Sequence, residues 1–289
     1  MQITSSIKTL RQWLKQDCTQ NGLTGFVPTM GALHQGHISL INRSVDSCER
    51  TVVSIFVNRI QFNDKNDYNN YPNTLSEDLQ KCSQAGVNYV FVPDESVMYN
   101  NHKTYIDVAD LTDNLCGKHR PGHFKGVFTV VSKLFNIVQP DMAFFGRKDL
   151  QQALAVRKMV CDLNFPIKII ICPTIREKDG LALSSRNVHL DTKQRERALS
   201  IYKSLMLAKK MILDGTTDLD LVCTRIHEFI VQNGFPESID YITAVNIDSL
   251  EPVSVLDQES AIALAANFGS VRLIDNMIIY TDGDTRCDL

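Results

Sequence analysis

The residue types with the clearest chemical meaning lie in the segment Pro28–His37, which follows a short predicted strand and leads into a predicted helix. A helix N-terminus carries unpaired N–H groups and a partial positive charge, and both favour phosphate. Gly31 and Gly36 allow the backbone to approach a nucleotide closely, because glycine has no Cβ. His34 and His37 can each donate a hydrogen bond to a phosphate oxygen. The segment therefore predicts a phosphate-binding turn.

Other interpretations of this turn stay open at the level of the residues. Its glycine spacing resembles half of a P-loop, but His37 and Ile38 stand where that motif has Lys and Ser or Thr, so a Walker-type site is excluded. The two histidines could also be surface residues of a plain turn. Together with His119 and His123 they could instead be the metal ligands of a hydrolase.

A second charged segment, Phe144–Gln152, also follows a predicted strand and opens a helix. Lys148 is a mobile point charge suited to phosphates, and Asp149 can bind a hydroxyl group or a metal-bound water. Gln151 and Gln152 would stand on the first helical turn. The alternative is a merely charged first turn capped by aspartate.

Two further segments carry polar groups that could bind a substrate. Ser184, Ser185 and Arg186 combine two hydroxyl groups with a guanidinium, which would make an anion clamp. A solvated linker between domains is the alternative. Asn58 and Gln61 follow a predicted strand, so both would face one crevice and could bind a hydroxy acid. An ordinary loop is the alternative for that pair.

The elements that must position these residues alternate between strand and helix in the first half of the chain. Thr51–Val57 is a run of strand-forming residues without a gap, which is typical of a strand buried on both faces. Strands separated by helices predict right-handed crossovers and a mostly parallel, Rossmann-like α/β sheet. The predicted strands are Gly25–Thr29, Thr51–Val57, Tyr89–Val92, Met142–Phe145 and Ile167–Cys172. The predicted helices include His37–Val45, Thr74–Ala85, Phe128–Val138 and Leu150–Leu163.

The pattern changes in the second half, where two helices precede three strand-like runs. The helices are predicted at Lys193–Leu213 and Leu219–Asn233, and the strands at Ile239–Val245, Ala261–Ala266 and Val271–Ile279. This order predicts a smaller α+β domain. We therefore expect a catalytic domain over residues 1–178 and a second domain over residues 179–289.

The composition of the chain limits the classes of protein to which it can belong. The 289 residues are 44% hydrophobic and 22% charged, as in an ordinary globular protein. A net charge of −3 makes nucleic acid an unexpected partner. Eight irregularly spaced cysteines without a Cys-x-x-Cys pair indicate free thiols rather than disulfides or a zinc cluster. Without a secretory signal pattern or a bilayer-length apolar run, we expect a cytoplasmic protein with no membrane partner.

Several of these motifs, in this order and at these distances, resemble the pantothenate synthetase (pantoate–β-alanine ligase) family of the nucleotidyltransferase superfamily. The resemblance covers essentially the whole chain. It is carried by Pro28–His37, Ser54–Phe62, Tyr71-Pro72, His123-Phe124, Phe144–Gln152 and Arg176–Asn187. It implies a Rossmann-like domain that holds the active site, a C-terminal domain that acts as a lid, and a homodimer.

The resemblance also implies the substrates and their contacts. ATP would contact Met30, Gly31, His34, Gly36, His37, Gly146, Arg147, Lys148, Asp149, Ile175, Leu183, Ser184, Ser185 and Arg186. The catalytic side chains among these would be His34, His37, Lys148, Ser184, Ser185 and Arg186. Pantoate would be held by Gln61 and Gln152, with Asn58 in the same crevice, and β-alanine would enter beside Gln61. Mg²⁺ would accompany ATP near Glu77 and Asp78.

The chain departs from the common family pattern at four positions. Arg59 stands where proline is usual, and Arg147 replaces an acidic or amide residue before Lys148. Leu183 replaces a frequent methionine, and Glu77 stands where aspartate is common.

The implied chemistry is an activation followed by a transfer. Pantoate carboxylate would attack the α-phosphorus of ATP and release pyrophosphate, and the amine of β-alanine would then displace AMP. The first step brings two anions together, so it needs preorganised positive charge and hydrogen-bond donors. Two alternatives remain at this level, a transferase that moves the nucleotide onto a phosphate and a nucleotide-binding regulator without turnover.

Overall fold

The computed structural model describes residues 1–17, 22–281 and 285–289. The chain divides into two compact units. The first unit comprises residues 1–109, 120–146 and 152–172, and the second comprises residues 110–119, 147–151 and 173–289. The sequence-based division at residue 178 differs from these units in residues 173–178 and in the two short segments that belong to the second unit.

The first unit is built on a six-stranded parallel sheet with the order β1-β4-β3-β2-β5-β6. Its strands are β1 Gln2–Thr4, β2 Thr24–Thr29, β3 Arg50–Ile55, β4 Tyr89–Phe91, β5 Met142–Gly146 and β6 Lys168–Cys172. Its helices are α1 Ile7–Gln16, α2 Gln35–Ser47, α3 Lys65–Asn69, α4 Leu75–Gln84, α5 Glu95–Tyr99, α7 His123–Val138 and, from Gln152 onwards, α8 Leu150–Asp162.

The central strands explain why this sheet forms. Every residue of β3 is buried, and Val52 and Val53 are fully buried, as expected of a strand covered on both faces. Helix α2 can pack closely against β2 because Gly25 has no side chain: a Cβ there would lie 2.1 Å from the hydroxyl of Ser44. The predicted α/β class with a Rossmann-like parallel sheet is confirmed.

The second unit contains an antiparallel sheet with the order β10-β9-β8-β7. Its strands are β7 Ser238–Asn246, β8 Ser260–Phe268, β9 Val271–Tyr280 and β10 Arg286–Asp288, and its helices are α6 Leu115–His119, α9 Thr192–Leu213 and α10 Leu219–Gly234. Short 3₁₀ helices lie at Arg147–Asp149 and Ser185–His189. Apolar residues of α9, α10 and the sheet, such as Leu205, Ile226 and Leu264, form one fully buried cluster.

The sequence did not predict β1 and β10, which are strands of three residues. Within the described residues, no helix combines the length and the apolar character that crossing a bilayer would require.

Candidate active site

In the sheet of the first unit, the direction in which successive strands are added reverses between β2 and β5. The strands β3, β4 and β1 lie on one side of β2, whereas β5 and β6 lie on the other. In open parallel sheets, ligands bind beyond the carboxyl ends of the strands at such a switch point. The predicted phosphate-binding turn follows the carboxyl end of β2 directly, so the fold places it at this location.

The two histidines of the turn close the first turn of α2 by a reciprocal pair of hydrogen bonds. The Nδ1 atom of His34 accepts the backbone N–H of Gly36 at 3.1 Å, and the Nδ1 atom of His37 accepts the backbone N–H of His34 at 3.2 Å. The ring centroids are 4.1 Å apart. Because a nitrogen that accepts a hydrogen bond carries no proton, each neutral ring has its proton on Nε2. Both histidines thus provide an Nε2–H donor at the positive end of a helix.

Asn58 belongs to a hydrogen-bonded network. Its Nδ2 donates to Oε1 of Gln61 at 2.8 Å and to the carbonyl of Gly126 at 3.1 Å. Its Oδ1 accepts the hydroxyl of Tyr99 at 2.6 Å. Asn58 is 1% exposed, so this geometry favours a supporting role over the direct substrate contact expected from the sequence. Gln61 is half-buried, and Asn58 fixes the orientation of its amide.

Tyr99 stays protonated in this network. Burial raises the pKa of its hydroxyl, and the nearby Glu95 and Tyr105 raise it further. A protonated hydroxyl can donate to Oδ1 of Asn58, which in turn directs the Nδ2 group of Asn58 towards Gln61. Tyr99 could not be found from the sequence, because it is 41 residues away from Asn58 and lies on a separate helix.

His123, the first residue of α7, holds the backbone of Gln61. Its Nε2 accepts from the guanidinium of Arg120 at 3.0 Å, and its Nδ1–H donates to the carbonyl of Gln61 at 2.7 Å. Both ring nitrogens are thus engaged with protein groups, which does not favour the metal pair with His119 that the spacing left open. The segment that includes Arg120 and His123 therefore orients Gln61.

The two consecutive glutamines at the start of α8 differ in their surroundings. Gln151 is buried, and its amide donates to the carbonyls of Leu111 and Asn114 at 2.9 and 2.8 Å within the second unit. Gln152 is half-buried and belongs to the first unit. Its assignment as a pantoate ligand stays a prediction.

In the second unit, β9 anchors the segment that contains Lys148. The side chain of Asn276 donates to the carbonyls of Arg147 and Lys148 at 2.9 and 3.1 Å. The ammonium of Lys148 lies 3.6 Å from the carboxylate of Asp149. Arg147 is almost completely buried and pairs with Asp288 at 3.6 Å. Arg147 therefore fits a structural role better than the predicted contact with ATP.

The same strand anchors the segment that contains the predicted anion clamp. Asp275 receives two hydrogen bonds from Arg176, at 2.6 and 3.0 Å, and its side chain is 1% exposed. The backbone N–H of Leu183 donates to the carbonyl of Ile175 at 3.0 Å, which brings these two predicted ATP contacts together. Ser184 caps a 3₁₀ helix by accepting the N–H of Arg186 at 3.2 Å.

The structure thus places the predicted site residues in two sets. The first unit carries Met30, Gly31, His34, Gly36, His37, Asn58, Gln61, Glu77, Asp78, Gly146 and Gln152, and the second carries Arg147, Lys148, Asp149, Ile175, Leu183, Ser184, Ser185 and Arg186. Asp275 and Asn276 were not singled out from the sequence. Their only signal was the pairing of two polar residues inside a strand that is otherwise apolar apart from Arg272 and the terminal Tyr280.

The two carboxylates of the predicted metal pair have different surroundings. Asp78 is buried, and its two oxygens accept the backbone N–H groups of Ala32 and Leu33 at 2.9 and 2.8 Å. Glu77 is exposed. Over the ranges that the structure describes, no group of three or more His, Cys, Asp or Glu side chains is arranged to hold a metal ion. Asp78 therefore does not fit the predicted role of a Mg²⁺ ligand.

Comparisons with known proteins agree with the architecture. The family model for pantoate–β-alanine ligase matches residues 2–278. A pantothenate synthetase of Acetivibrio thermocellus is 46% identical over 283 residues, which cover 96% of this chain and 99% of the relative. A pantothenate synthetase structure from Thermus thermophilus is 39% identical with a TM-score of 0.89, and covers 96% of this chain and 98% of its own. A pantoate–β-alanine ligase structure from Francisella tularensis, described as a complex with β,γ-ATP and β-alanine, is 37% identical with a TM-score of 0.77 and covers 96% and 97%.

Proposed function

Because the chain belongs to the family of pantoate–β-alanine ligases, we propose roles for its own side chains in that family's reaction. The enzyme joins pantoate to β-alanine through an amide bond and consumes ATP. Family membership also decides against the metallohydrolase, the phosphate-directed transferase and the regulator without turnover.

The main support for the proposal is the pair of histidines that form the capping box at the N-terminus of α2. Their Nδ1 atoms are bound to backbone N–H groups, so the Nε2–H groups of His34 and His37 are the donors that the rings offer to an anion. The partial positive charge of the helix end acts in the same direction. This arrangement suits the α- and β-phosphates of ATP, where negative charge shifts during adenylation.

Pantoate is held by Gln61 and Gln152. Asn58 donates to Oε1 of Gln61, so the Nε2 group of Gln61 lies on the opposite side of the amide and serves as a donor to the carboxylate or hydroxyl of pantoate. One carboxylate oxygen of pantoate attacks the α-phosphorus, the bond to the bridging oxygen breaks, and pyrophosphate leaves with that electron pair.

The leaving group needs positive charge and hydrogen-bond donors. Lys148, Ser184, Ser185 and Arg186 are the donors, and β9 fixes the segments that carry them through Asn276 and Asp275. Donors held in place before the reaction need no reorganisation as charge develops on the pyrophosphate oxygens. In the second step, the neutral amine of β-alanine attacks the carbonyl carbon of pantoyl adenylate. The bond from that carbon to the phosphate oxygen breaks, AMP leaves with the electron pair, and the proton of the amine passes to solvent.

Mg²⁺ would accompany the nucleotide in this proposal, and Glu77 would help to hold it. Mg²⁺ in proteins is usually held by one or two carboxylates together with substrate phosphates, and it keeps several waters. The exposed carboxylate of Glu77 fits that pattern, whereas the buried carboxylate of Asp78 does not. The ion neutralises phosphate charge when it is bound.

A cytoplasmic homodimer completes the proposal. The cysteines Cys48, Cys82, Cys116, Cys161, Cys172, Cys223 and Cys287 are free thiols, which is typical of a reducing compartment. Cys18 lies outside the described residues. Light scattering coupled to size-exclusion chromatography tests the dimer, for which a mass of twice 32.6 kDa is expected.

The reaction itself is tested by omitting one substrate at a time. With ATP, pantoate and β-alanine present, the purified protein should form AMP and pantothenate in equal amounts, identified by mass spectrometry. Omission of any one substrate should abolish pantothenate. Formation of ADP instead of AMP would contradict an adenylate mechanism.

A further inference from the structure

Helix α4 holds the turn of residues 30–33 through two side chains. Oδ2 of Asp78 accepts the N–H of Ala32 at 2.9 Å, and Oδ1 accepts the N–H of Leu33 at 2.8 Å. Nearly one helical turn later, Nζ of Lys81 donates to the carbonyl of Leu33 at 2.7 Å. Asp78 is 1% exposed. The bonds made by its carboxylate are therefore shielded from competition with water.

The turn needs such an anchor because its backbone is in an unfavourable conformation. Gly31 has φ +82° and Ala32 has φ +51°. The left-handed region costs free energy for a residue with a Cβ, so Ala32 remains there only when its surroundings hold it. A Cβ at Gly31 would lie 3.1 Å from Oδ2 of Asp78 and 3.2 Å from Cγ2 of Ile55. The turn is thus fitted closely against the carboxylate.

The anchored turn leads directly into the N-terminus of α2. Leu33 precedes His34, which caps the helix and starts the histidine pair. If the N–H groups of Ala32 and Leu33 lost their acceptor, the turn would relax, and the position of His34 would change with it.

We propose that Asp78 is a positioning residue for ATP, which fixes the turn before α2 and does not bind Mg²⁺. This inference rests on the proposed function, because it assumes that ATP phosphates meet the N-terminus of α2. The two oxygens of Asp78 are the acceptors for two backbone donors, whereas Mg²⁺ demands oxygen ligands in a near-octahedral shell. The neighbouring Glu77 is the exposed carboxylate of the pair.

The variant Asp78→Asn separates positioning from metal binding. It keeps the shape of the side chain, but its amide group can accept only one of the two N–H groups and turns a donor towards the other. We expect the KM for ATP to rise about 10- to 100-fold, the range for losing a buried hydrogen bond to a charged group. The KM for pantoate should stay within about twofold, since the Gln61 network does not involve Asp78.

Two readouts other than turnover accompany these kinetics. Amide hydrogen exchange, followed by NMR or by mass spectrometry of short peptides, should become faster at Ala32 and Leu33. The Mg²⁺ concentration for half-maximal activity, measured at saturating ATP, should not change. The contrasting variant Glu77→Gln should raise that Mg²⁺ concentration and leave exchange at Ala32 and Leu33 unaltered.

A matched control and a second variant complete the design. Asp218→Asn changes another aspartate that accepts a backbone N–H, that of Leu221 at 2.8 Å, at the N-terminus of α10. It should leave the KM for ATP unchanged. If Asp78→Asn fails to fold, Lys81→Met removes a different bond to the same turn and should raise the KM for ATP about two- to fivefold.

Several results would overturn the inference. These are an unchanged KM for ATP in a folded Asp78→Asn variant, unaltered exchange at Ala32 and Leu33, or a Mg²⁺ requirement that rises for Asp78→Asn. If Asp78→Asn does not fold, an unchanged KM for ATP in Lys81→Met would overturn the inference instead. A wild-type protein that forms no pantothenate would instead refute the proposed function, so the two failures are distinguishable.

Discussion

Replacing Tyr99 with phenylalanine removes one hydroxyl from the network that orients Gln61 and little else. The lost hydrogen bond to Oδ1 of Asn58 is 2.6 Å long and part-buried, and Asn58 itself is 1% exposed. The ring should remain in place, because its packing against Phe56, at 5.9 Å between centroids, does not involve the hydroxyl. A buried acceptor left without its donor costs about 1–3 kcal/mol.

Part of that cost should appear as weaker binding of pantoate. Oδ1 of Asn58 can seek another donor only by rotating the amide, which would release Oε1 of Gln61. Since 1.4 kcal/mol corresponds to a factor of ten, we expect the KM for pantoate to rise about tenfold. The KM for ATP should stay within about twofold, because the His34 cap lies on a different element.

The assay is initial-rate kinetics with each substrate varied in turn. Tyr105→Phe serves as the matched control, because Tyr105 is 50% exposed and removal of its hydroxyl leaves no buried group unsatisfied. The reasoning is refuted if Tyr99→Phe keeps a normal KM for pantoate, or if the KM for ATP rises by the same factor.

Three other predictions address the positive charge of Lys148, the amides of Gln61 and Gln152, and the pH dependence of thermal stability. Lys148→Ala should lower the single-turnover rate of pantoyl-adenylate formation roughly 10²–10³-fold, the scale for one well-placed donor, with little change in thermal stability; a near-normal rate would remove Lys148 from the catalytic set. Gln61→Ala and Gln152→Ala should each weaken the use of pantoate and spare ATP binding, measured by calorimetry; equal losses for both ligands would contradict their placement. Burial, aided by Lys133, lowers the pKa of His102 below its usual range, so the folded state favours the neutral ring. That contribution to stability is present above the unfolded-state pKa and is lost as the pH falls from there through the lower pKa of the folded state. The Tm of His102→Gln should therefore decrease less steeply than that of the wild type below about pH 6.5; equal slopes would show that His102 does not contribute.

The central elements of the fold could be predicted because their patterns are strong. The segment Thr51–Val57 is a run of strand-forming residues without a gap, and the strand predicted from it is β3, which occupies Arg50–Ile55. Helix α9, predicted at Lys193–Leu213, occupies Thr192–Leu213. The strands β1 and β10 have three residues each, so they depend on pairing with β4 and β9 rather than on a pattern of their own.

The candidate site was predictable in its residue types but not in its contacts. Glu77 and Asp78 are neighbours in sequence, and consecutive residues of a helix point in directions about 100° apart. One is consequently exposed and the other is buried beneath the turn before α2. Only the tertiary structure shows that Asp78 meets backbone N–H groups 45 and 46 residues earlier in the chain.

The same limit applies to the amides. The spacing of Asn58 and Gln61 indicated one crevice, and the structure does bring them within hydrogen-bond distance. Their unequal burial, which favours support for Asn58 and substrate contact for Gln61, depends on Tyr99 and Gly126 from two other helices. No local pattern in the sequence encodes such contacts.

The central claim is that pantoate is activated as an adenylate before β-alanine reacts. Exchange of radiolabelled pyrophosphate into ATP measures this step directly, because it requires that adenylation release pyrophosphate reversibly before the amine reacts. The account predicts exchange when pantoate is the only other substrate present, and no exchange when β-alanine replaces pantoate. Exchange that occurs only when β-alanine is present would contradict the two-step mechanism.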